Sequence, residues 1–147
     1  MKRTPLEHLT ERARQARDDA AGTAAGAHRA VDDARRTLEL LTNYLDDHLQ
    51  RGRSPAPTGI AQLRVREHFT RKLDQAIDAQ ERQRSELQKI AELKQHQLAE
   101  RQRRLLAFET LAERREVIKR LARERREQRH TDEIAARVRR HRSSESA

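Results

Sequence analysis

Histidines and carboxylates are the residues of this chain whose types suit metal binding or proton transfer. The seven histidines never stand three or four residues apart, the spacing that puts two metal ligands on one helical face: His8, His28, His48, His68, His96, His130 and His141. Asp and Glu recur along the whole chain, as they do on a solvated helix. The sequence has no Gly-rich phosphate loop and no cysteine for a disulfide or a thiolate site. The pattern therefore predicts a protein that is not an enzyme and has no metal or cofactor.

The elements that position these residues are predicted by the distribution of helix breakers. From Ile60 to Ala147 the sequence contains neither Gly nor Pro, and a helix of that length would extend over about 120 Å. Only 34% of the residues are hydrophobic and 39% are charged, which is typical of disorder or of a coiled coil. A repeating pattern of Ala, Leu, Arg, Glu and Gln favours the coiled coil. We predict an all-α fold in which two long helices form an antiparallel coiled-coil hairpin and the second helix is the longer.

Local signals predict where the helices begin and end. Thr4, Pro5 and Glu7 have the spacing of a capping box with proline at the first helical position. Gly52 suits a left-handed C-cap, and two prolines follow it. The single coiled-coil unit of residues 1–147 is predicted to comprise a first helix over residues 5–51, a Gly/Pro/Ser linker over 52–59, a second helix over 60–140 and a disordered tail over 141–147.

Apolar residues at alternating steps of three and four predict the seam between the helices. In the first helix the predicted positions are Leu6, Leu9, Ala13, Ala16, Ala20, Thr23, Ala27, Ala30, Ala34, Thr37, Leu41, Tyr44 and His48. In the second they are Phe69, Leu73, Ala76, Gln80, Gln83, Leu87, Ile90, Lys94, Gln97, Arg101, Arg104, Phe108, Leu111, Arg115, Ile118 and Ala122. Gly22 and Gly26 indicate either a close approach of the two helices or a bend.

The unequal lengths of the helices leave part of the second helix without a partner in the chain. Pairing residues at equal distances from the linker sets Leu6 opposite a residue near Leu105, so everything beyond about Phe108 is unpaired. Residues 112–142 contain twelve Lys or Arg and six Asp or Glu, a net charge of +6. Such a basic helix suits nucleic acid, an anionic membrane or an acidic protein cavity. Interleaved acids, and the lack of aromatic residues after Phe108, argue against nucleic acid.

The residues beside the linker are more apolar than a two-helix seam needs. Six residues spread over about half of the first helix's circumference: Leu38, Leu40, Leu41, Tyr44, Leu45 and Leu49. Val65, Phe69 and Leu73 lie opposite them. Two interpretations stay open, a wider local core around Phe69 and a patch that binds a partner.

Three segments in order around the linker resemble the flagellar export protein FliJ family. They are residues 38–45 (LELLTNYL), residues 69–80 (FTRKLDQAIDAQ) and residues 127–135 (EQRHTDEIA). The similarity extends over roughly residues 6–138. It implies a small, non-enzymatic, antiparallel coiled coil of the flagellar type III export apparatus, similar to the central stalk subunit of rotary ATP synthases.

The resemblance also implies partners and the residues that contact them. The implied partners are the export ATPase FliI, the export gate protein FlhA, the ATPase regulator FliH and export chaperones. Gate binding would fall to Leu41, Tyr44, His48, Phe69, Leu73, Ala76 and Gln80. ATPase binding would fall to Arg126, Glu127, Gln128, Asp132 and Glu133. His48 stands where the family more often has an aromatic residue.

Three other functions remain as alternatives at this level. They are the equivalent stalk of a virulence type III secretion system, a basic helical nucleic-acid-binding protein and a generic coiled-coil scaffold. The N-terminal residues lack an apolar signal region, and no apolar run reaches the ~20 residues that span a bilayer. We therefore expect a cytoplasmic protein that reaches the inner membrane only peripherally, through its partners.

Overall fold

Two helices make up the computed structural model, which describes residues 2–53 and 59–147. Helix α1 spans Pro5–Gly52 and helix α2 spans Ile60–Glu145. The described residues include no strand. Residues later in α1 contact residues earlier in α2: His28 lies beside Gln95, and Ala34 beside Gln80. The predicted antiparallel hairpin with a longer second helix is therefore confirmed. Residues 54–58 of the predicted linker lie outside the described residues.

The start of α1 is fixed by the capping box that the sequence predicts. The backbone N–H of Thr4 donates to Oε2 of Glu7 at 2.9 Å, and the N–H of Glu7 donates to Oγ1 of Thr4 at 3.3 Å. Two of the four N–H groups that a helix start leaves without partners are thereby satisfied. The predicted capping box is confirmed.

The end of α1 differs from the predicted left-handed cap. Gly52 belongs to the helix and does not have a positive φ. The chain instead leaves α1 through a tighter turn, in which the N–H of Arg53 donates to the carbonyl of Gln50 at 3.2 Å. An i→i−3 bond of this kind satisfies a terminal carbonyl without left-handed backbone, so the C-cap prediction is wrong.

Helix α2 continues five residues beyond its predicted end at residue 140. The expected disordered tail over residues 141–147 is helical as far as Glu145. The hydroxyls of Ser143, Ser144 and Ser146 donate to carbonyls three or four residues earlier, at 2.9, 2.7 and 3.0 Å. Each hydroxyl satisfies a carbonyl near the helix end, and no Gly or Pro interrupts the helix there.

The chain divides into two compact units, one of residues 15–102 and one of residues 1–14 with 103–147. In the unit of residues 15–102, the seam differs from the predicted one in every second position. The buried residues Ala24, Val31 and Ala91 each stand one place after a predicted position. The predicted residues Thr23, Tyr44 and Ile90 are exposed instead.

In both helices, the seam positions that differ from the prediction lie one residue later than predicted. We call the buried or half-buried set the inner row: Arg17, Ala24, Val31, Leu38 and Leu45 in α1, and Thr70, Ile77, Arg84, Ala91 and Leu98 in α2. We call the residues just before them the outer row: Ala16, Thr23, Ala30, Thr37 and Tyr44, and Phe69, Ala76, Gln83, Ile90 and Gln97. Large aliphatic residues occupy five inner-row positions, whereas the outer row has three large apolar residues: Val31, Leu38, Leu45, Ile77 and Leu98 against Tyr44, Phe69 and Ile90. Burying the inner row as a whole removes more large aliphatic side chains from water. The hydrophobic effect therefore selects the inner row.

Polar residues of this seam find partners. Nε2 of Gln80 donates to the carbonyl of Ala34 at 3.4 Å, across the two helices. Arg84 forms an ion pair with Glu81 one turn earlier in α2. The hydrogen bond from Arg84, with its positive charge, lowers the pKa of the Glu81 carboxyl below its usual value. The seam thus accepts Gln80 and Arg84 because each has a hydrogen-bonding group within reach.

In the other unit, Leu6, Ala13 and Leu105 are buried between the start of α1 and the middle of α2. Arg14 lies 3.8 Å from Glu109, and Leu6 lines one groove together with Ala112. Leu6 therefore lies beside a residue about two turns later in α2 than the predicted position near Leu105. In this unit the residues are therefore not paired at equal distances from the linker, and the predicted pairing of Leu6 is wrong here.

The two glycines inside α1 do not mark a close approach. No other side chain or neighbouring helix lies within 4 Å of the place where a Cβ would stand at Gly22. At Gly26 the nearest atom is Nη2 of Arg29, at 4.0 Å, which belongs to the same helix. Both glycines lie outside the seam, so the interpretation as a contact between helices is wrong.

Candidate functional site

Three aromatic rings cluster on the described residues next to the linker. Tyr44 and Phe69 pack edge to face with their centroids 6.1 Å apart, and His48 packs on Phe69 at 4.7 Å. Nε2 of His48 lies 3.4 Å from the carbonyl of Arg66, to which an Nε2–H can donate. Edge-to-face pairs of this kind stabilise their geometry beyond simple burial. The aromatic cluster of Tyr44, His48 and Phe69 therefore joins α1 to α2 while its rings keep an outer surface.

The seven predicted gate-binding residues separate into two groups. Leu73 is buried, and Leu41, His48 and Gln80 are half-buried between the helices. Tyr44, Phe69 and Ala76 belong to the outer row and are exposed, Tyr44 by 59% of its surface. The two interpretations of this patch therefore apply to different side chains: the first group packs the hairpin, and the second is open to a partner.

More apolar surface surrounds the exposed group than two helices can cover. Leu40 is 70% exposed and Val65 is 69% exposed, as expected from the width of the apolar arc. Ile60 and Leu63 are also exposed, and Leu63 lines a groove of about 650 Å³ with His48, Leu49 and Arg66. Sequence reasoning overlooked Ile60 and Leu63. Their signal was present as apolar residues in the first turn of α2, before the predicted seam begins.

The five predicted ATPase-binding residues lie in the part of α2 that has no buried residue. Arg126, Glu127, Gln128, Asp132 and Glu133 are all exposed. Nε2 of Gln128 donates to Oδ1 of Asp132 at 3.4 Å, one turn apart. Weak intrahelical contacts of this kind exchange readily for contacts with another protein. The structure brings these residues together on two successive turns.

The same part of α2 also exposes apolar side chains. Between 43% and 65% of the surface of each of Val117, Ile118, Leu121, Ile134 and Val138 is accessible. From Arg120 to Ala147 the described residues are exposed, with only Ala136 half-buried. An amphipathic helix without a cover is typical of a segment that binds another protein.

A groove lies where the first residues of α1 stop covering α2. It has a volume of about 450 Å³ and is lined by Leu6, Glu7, Ala112, Arg115 and Lys119, among others. The unpaired part of α2 therefore begins between Ala112 and Lys119. The predicted beginning near Phe108 is wrong, for the same reason as the pairing of Leu6.

Residues of the types that bind metals are scattered over residues 2–53 and 59–147. No three His, Asp or Glu side chains among them are grouped so as to hold a metal ion. No helix formed by these residues is long and apolar enough to cross a membrane. The described surface presents exposed rings, aliphatic side chains and mixed charge.

Comparison with known proteins agrees with this type of surface. The family described as "Flagellar FliJ protein" matches residues 1–144 of the chain. No curated protein matches the chain.

Proposed function

The chain belongs to the FliJ family, a non-enzymatic stalk component of the flagellar type III export apparatus, and on this premise we propose that it links the export ATPase to the export gate. In this proposal the carboxyl end of α2 enters the hexameric ring of FliI. The outer-row residues Tyr44, Phe69 and Ala76 contact FlhA. The protein also binds FliH and escorts unloaded export chaperones, at the cytoplasmic side of the inner membrane.

The match of the family over residues 1–144 is the observation that carries the proposal. Two features of the structure support its parts. The exposed part of α2 combines basic charge with uncovered Ile118 and Leu121, which suits insertion into a protein cavity. The aromatic cluster has exposed rings backed by the seam, and such preorganised rings are frequent anchors of protein interfaces.

ATPase stimulation by the purified full-length protein tests the first contact. We expect the double variant Arg126→Glu, Asp132→Lys to lose most of the stimulation of FliI, because both side chains are exposed and each reverses its charge. The matched control is Arg36→Glu, since Arg36 is also an exposed arginine of a helix. Full stimulation by the double variant would contradict the assigned residues. A wild-type protein that never stimulates FliI while remaining helical would contradict the stalk role itself.

Binding to the cytoplasmic part of FlhA tests the second contact. Tyr44→Ala and Phe69→Ala should each weaken binding by about tenfold or more, the usual effect of removing an aromatic anchor. Thr42→Ala is the control, because Thr42 is exposed on the other side of α1 and its hydroxyl bonds only to the carbonyl of Leu38. Equal binding by all three variants would place the gate contact elsewhere.

A further inference from the structure

The outer row forms one face of the unit of residues 15–102. Tyr44 of α1 touches Phe69 of α2, so the outer rows of the two antiparallel helices lie on the same side of the seam. On the other side, His28 lies 3.2 Å from Gln95, and each stands one residue after a seam position. Each flank of the hairpin is therefore identified by one contact between α1 and α2: Tyr44 with Phe69 on one side, and His28 with Gln95 on the other.

The two flanks differ in charge. Between residues 16–37 and 76–97 the outer row contains no charged residue: Ala16, Thr23, Ala30, Thr37, Ala76, Gln83, Ile90 and Gln97. Over the same ranges the flank of His28 and Gln95 includes two charged residues, Arg35 and Glu81. Two-helix coiled coils usually carry charged residues along both flanks of the seam, since both border water. In a chain that is 39% charged, one uncharged flank indicates a surface that another molecule covers.

Exposed aliphatic side chains concentrate on this flank. Ile90 is 47% exposed and Leu93, one turn later, is 55% exposed. Opposite them α1 presents Thr23, Gly26 and Ala30, whose small side chains leave the space beside the seam open. The face between these two sets of residues, called the groove below, offers a third helix exposed aliphatic side chains on α2 and small residues on α1, which allow a close approach.

Acidic residues border the groove on both sides. Asp19 and Asp33 stand three residues after outer-row positions of α1, and Glu86 and Glu100 stand three residues after those of α2. All four are exposed. The ion pairs Asp33–Arg36 and Glu86–Lys89 hold their cations farther from the groove, and both are too exposed to resist exchange. Arg29 reaches toward Gly26 from the same outer side.

We propose that this groove, lined by Thr23, Gly26, Ala30, Ile90 and Leu93, binds an amphipathic helix of a partner protein, with an aliphatic stripe flanked by Lys and Arg. Residues 16–37 extend over about 33 Å, which suits a docked helix of about three heptads. The aliphatic stripe covers Ile90 and Leu93, and the basic flanks face Asp19, Asp33, Glu86 and Glu100. The inference does not depend on the ATPase or gate contacts, because none of the residues proposed for those contacts takes part.

Two designed peptides of about 24 residues test the proposal on the full-length protein. Both have the same Leu/Ile stripe; one has Lys and Arg at the flanking positions and the other has Glu. Fluorescence anisotropy measures the binding of each peptide, and sedimentation measures the oligomeric state of the protein. We expect the basic peptide to bind at least tenfold more tightly than the acidic one. Equal binding, or tighter binding of the acidic peptide, would overturn the proposed chemistry.

The double variant Ile90→Glu, Leu93→Glu separates docking from general charge attraction. If the stripe docks on the groove, binding of the basic peptide weakens by tenfold or more, because two aliphatic contacts are lost. If charge alone attracts the peptide, two added carboxylates tighten binding, and that result would overturn the proposal. The control Gln95→Glu, Gln102→Glu adds the same charge on the other flank and should not weaken binding.

Two further results complete the test. Circular dichroism checks that each variant remains helical; should the glutamate variant unfold, Thr23→Trp blocks the α1 side of the groove without a charge and should weaken binding equally. A wild-type dimer that Ile90→Glu, Leu93→Glu converts to monomers would assign the groove to a second copy of the chain, against the proposal.

Discussion

Two alanines of α2 offer a direct measurement of which row is buried. Ala91 belongs to the inner row and is 0% exposed, whereas Ala76 belongs to the outer row and is exposed. The sequence pattern alone placed Ala76 in the seam and left Ala91 outside it. We predict that Ala91→Asp destabilises the hairpin far more than Ala76→Asp does.

The expected magnitudes follow from burial. Either substitution costs about 0.7 kcal/mol in helix propensity, because Asp is a poorer helix former than Ala. At Ala76 little else changes, since water still reaches the new carboxylate. At Ala91 the carboxylate is taken from water into the seam, which adds about 3 kcal/mol or more for a charge without a partner. The difference between the two variants is a large part of the total stability of a small domain.

Urea unfolding, followed by circular dichroism at 222 nm, measures both variants. The loss of unfolding free energy in Ala91→Asp should become smaller as the pH is lowered toward about 4. Burial raises the pKa of the new carboxyl above its unfolded value, and protonation then removes the buried charge. By the same linkage, the stability that protonation restores is lost again as the pH rises through the folded pKa. The deficit of Ala76→Asp should change little with pH.

An equal loss of stability in the two variants, or a larger loss at Ala76, would refute the inner-row seam. Should Ala91→Asp fail to fold at neutral pH, the milder pair Ala91→Ser and Ala76→Ser makes the same comparison. A hydroxyl at the buried site can still bond to the preceding turn of the helix, so we expect the same order with smaller differences.

Three other predictions concern single local features. Gly22→Ala and Gly26→Ala should each raise the free energy of unfolding by up to about 1 kcal/mol in urea titrations, because a Cβ meets open space and helix propensity improves; destabilisation would restore the close-approach interpretation. Thr4→Ala should cost about 1 kcal/mol by removal of the cap, visible as faster amide exchange in the first turn of α1 and not near residue 84; unchanged exchange there would count against the capping box. Because the hydrogen bond from Arg84 lowers the pKa of Glu81, its contribution to stability is present above the ordinary value of 4.5 and is lost as the pH falls through the lowered folded value. Acid titration of Glu81→Gln should therefore lack this contribution, and an identical acid limb in both proteins would contradict it.

Features encoded within a few residues could be predicted from the sequence. The capping box needs only Thr4 and Glu7, and the structure has both of its hydrogen bonds. The breaker-free run after Gly59 likewise predicts one long helix, because every residue in it tolerates helical backbone. The continuation of α2 to Glu145 was not predicted, since the hydroxyls of the terminal serines can satisfy carbonyls only where a helix supplies them.

The choice of seam row could not be made from spacing. The predicted and observed seams share every second position, among them Ala34, Leu73 and Leu87, so both satisfy the alternation of three and four. What separates them is the sum of apolar area over both helices, which requires the pairing to be known. The pairing in turn depended on an assumed symmetric fold about the linker, and the contact of Arg14 with Glu109 contradicts that symmetry.

Which of the candidate binding residues are exposed could not be predicted from the sequence either. Sequence similarity indicated the region around Tyr44 and Phe69, but it did not separate residues that hold the hairpin together from residues that face outward. That separation depends on exposure, which differs between neighbours as close as Tyr44 and Leu45. Ile60 and Leu63 were not predicted because both precede Phe69, where the predicted seam of α2 begins.

The division into rows has a consequence for how this protein can bind partners. Side chains of the outer row are less buried between α1 and α2 than those of the inner row, so their loss should affect binding more than stability. Leu73 and Gln80 belong to the seam, and truncating either disturbs the pairing that holds Phe69 against Tyr44. A binding defect in Leu73→Ala would therefore be indirect and should be accompanied by a lower midpoint of unfolding. A defect in Tyr44→Ala should be accompanied by a smaller drop in the midpoint: its contact with Phe69 is lost, but a ring that is 59% exposed has most of its surface free for a partner.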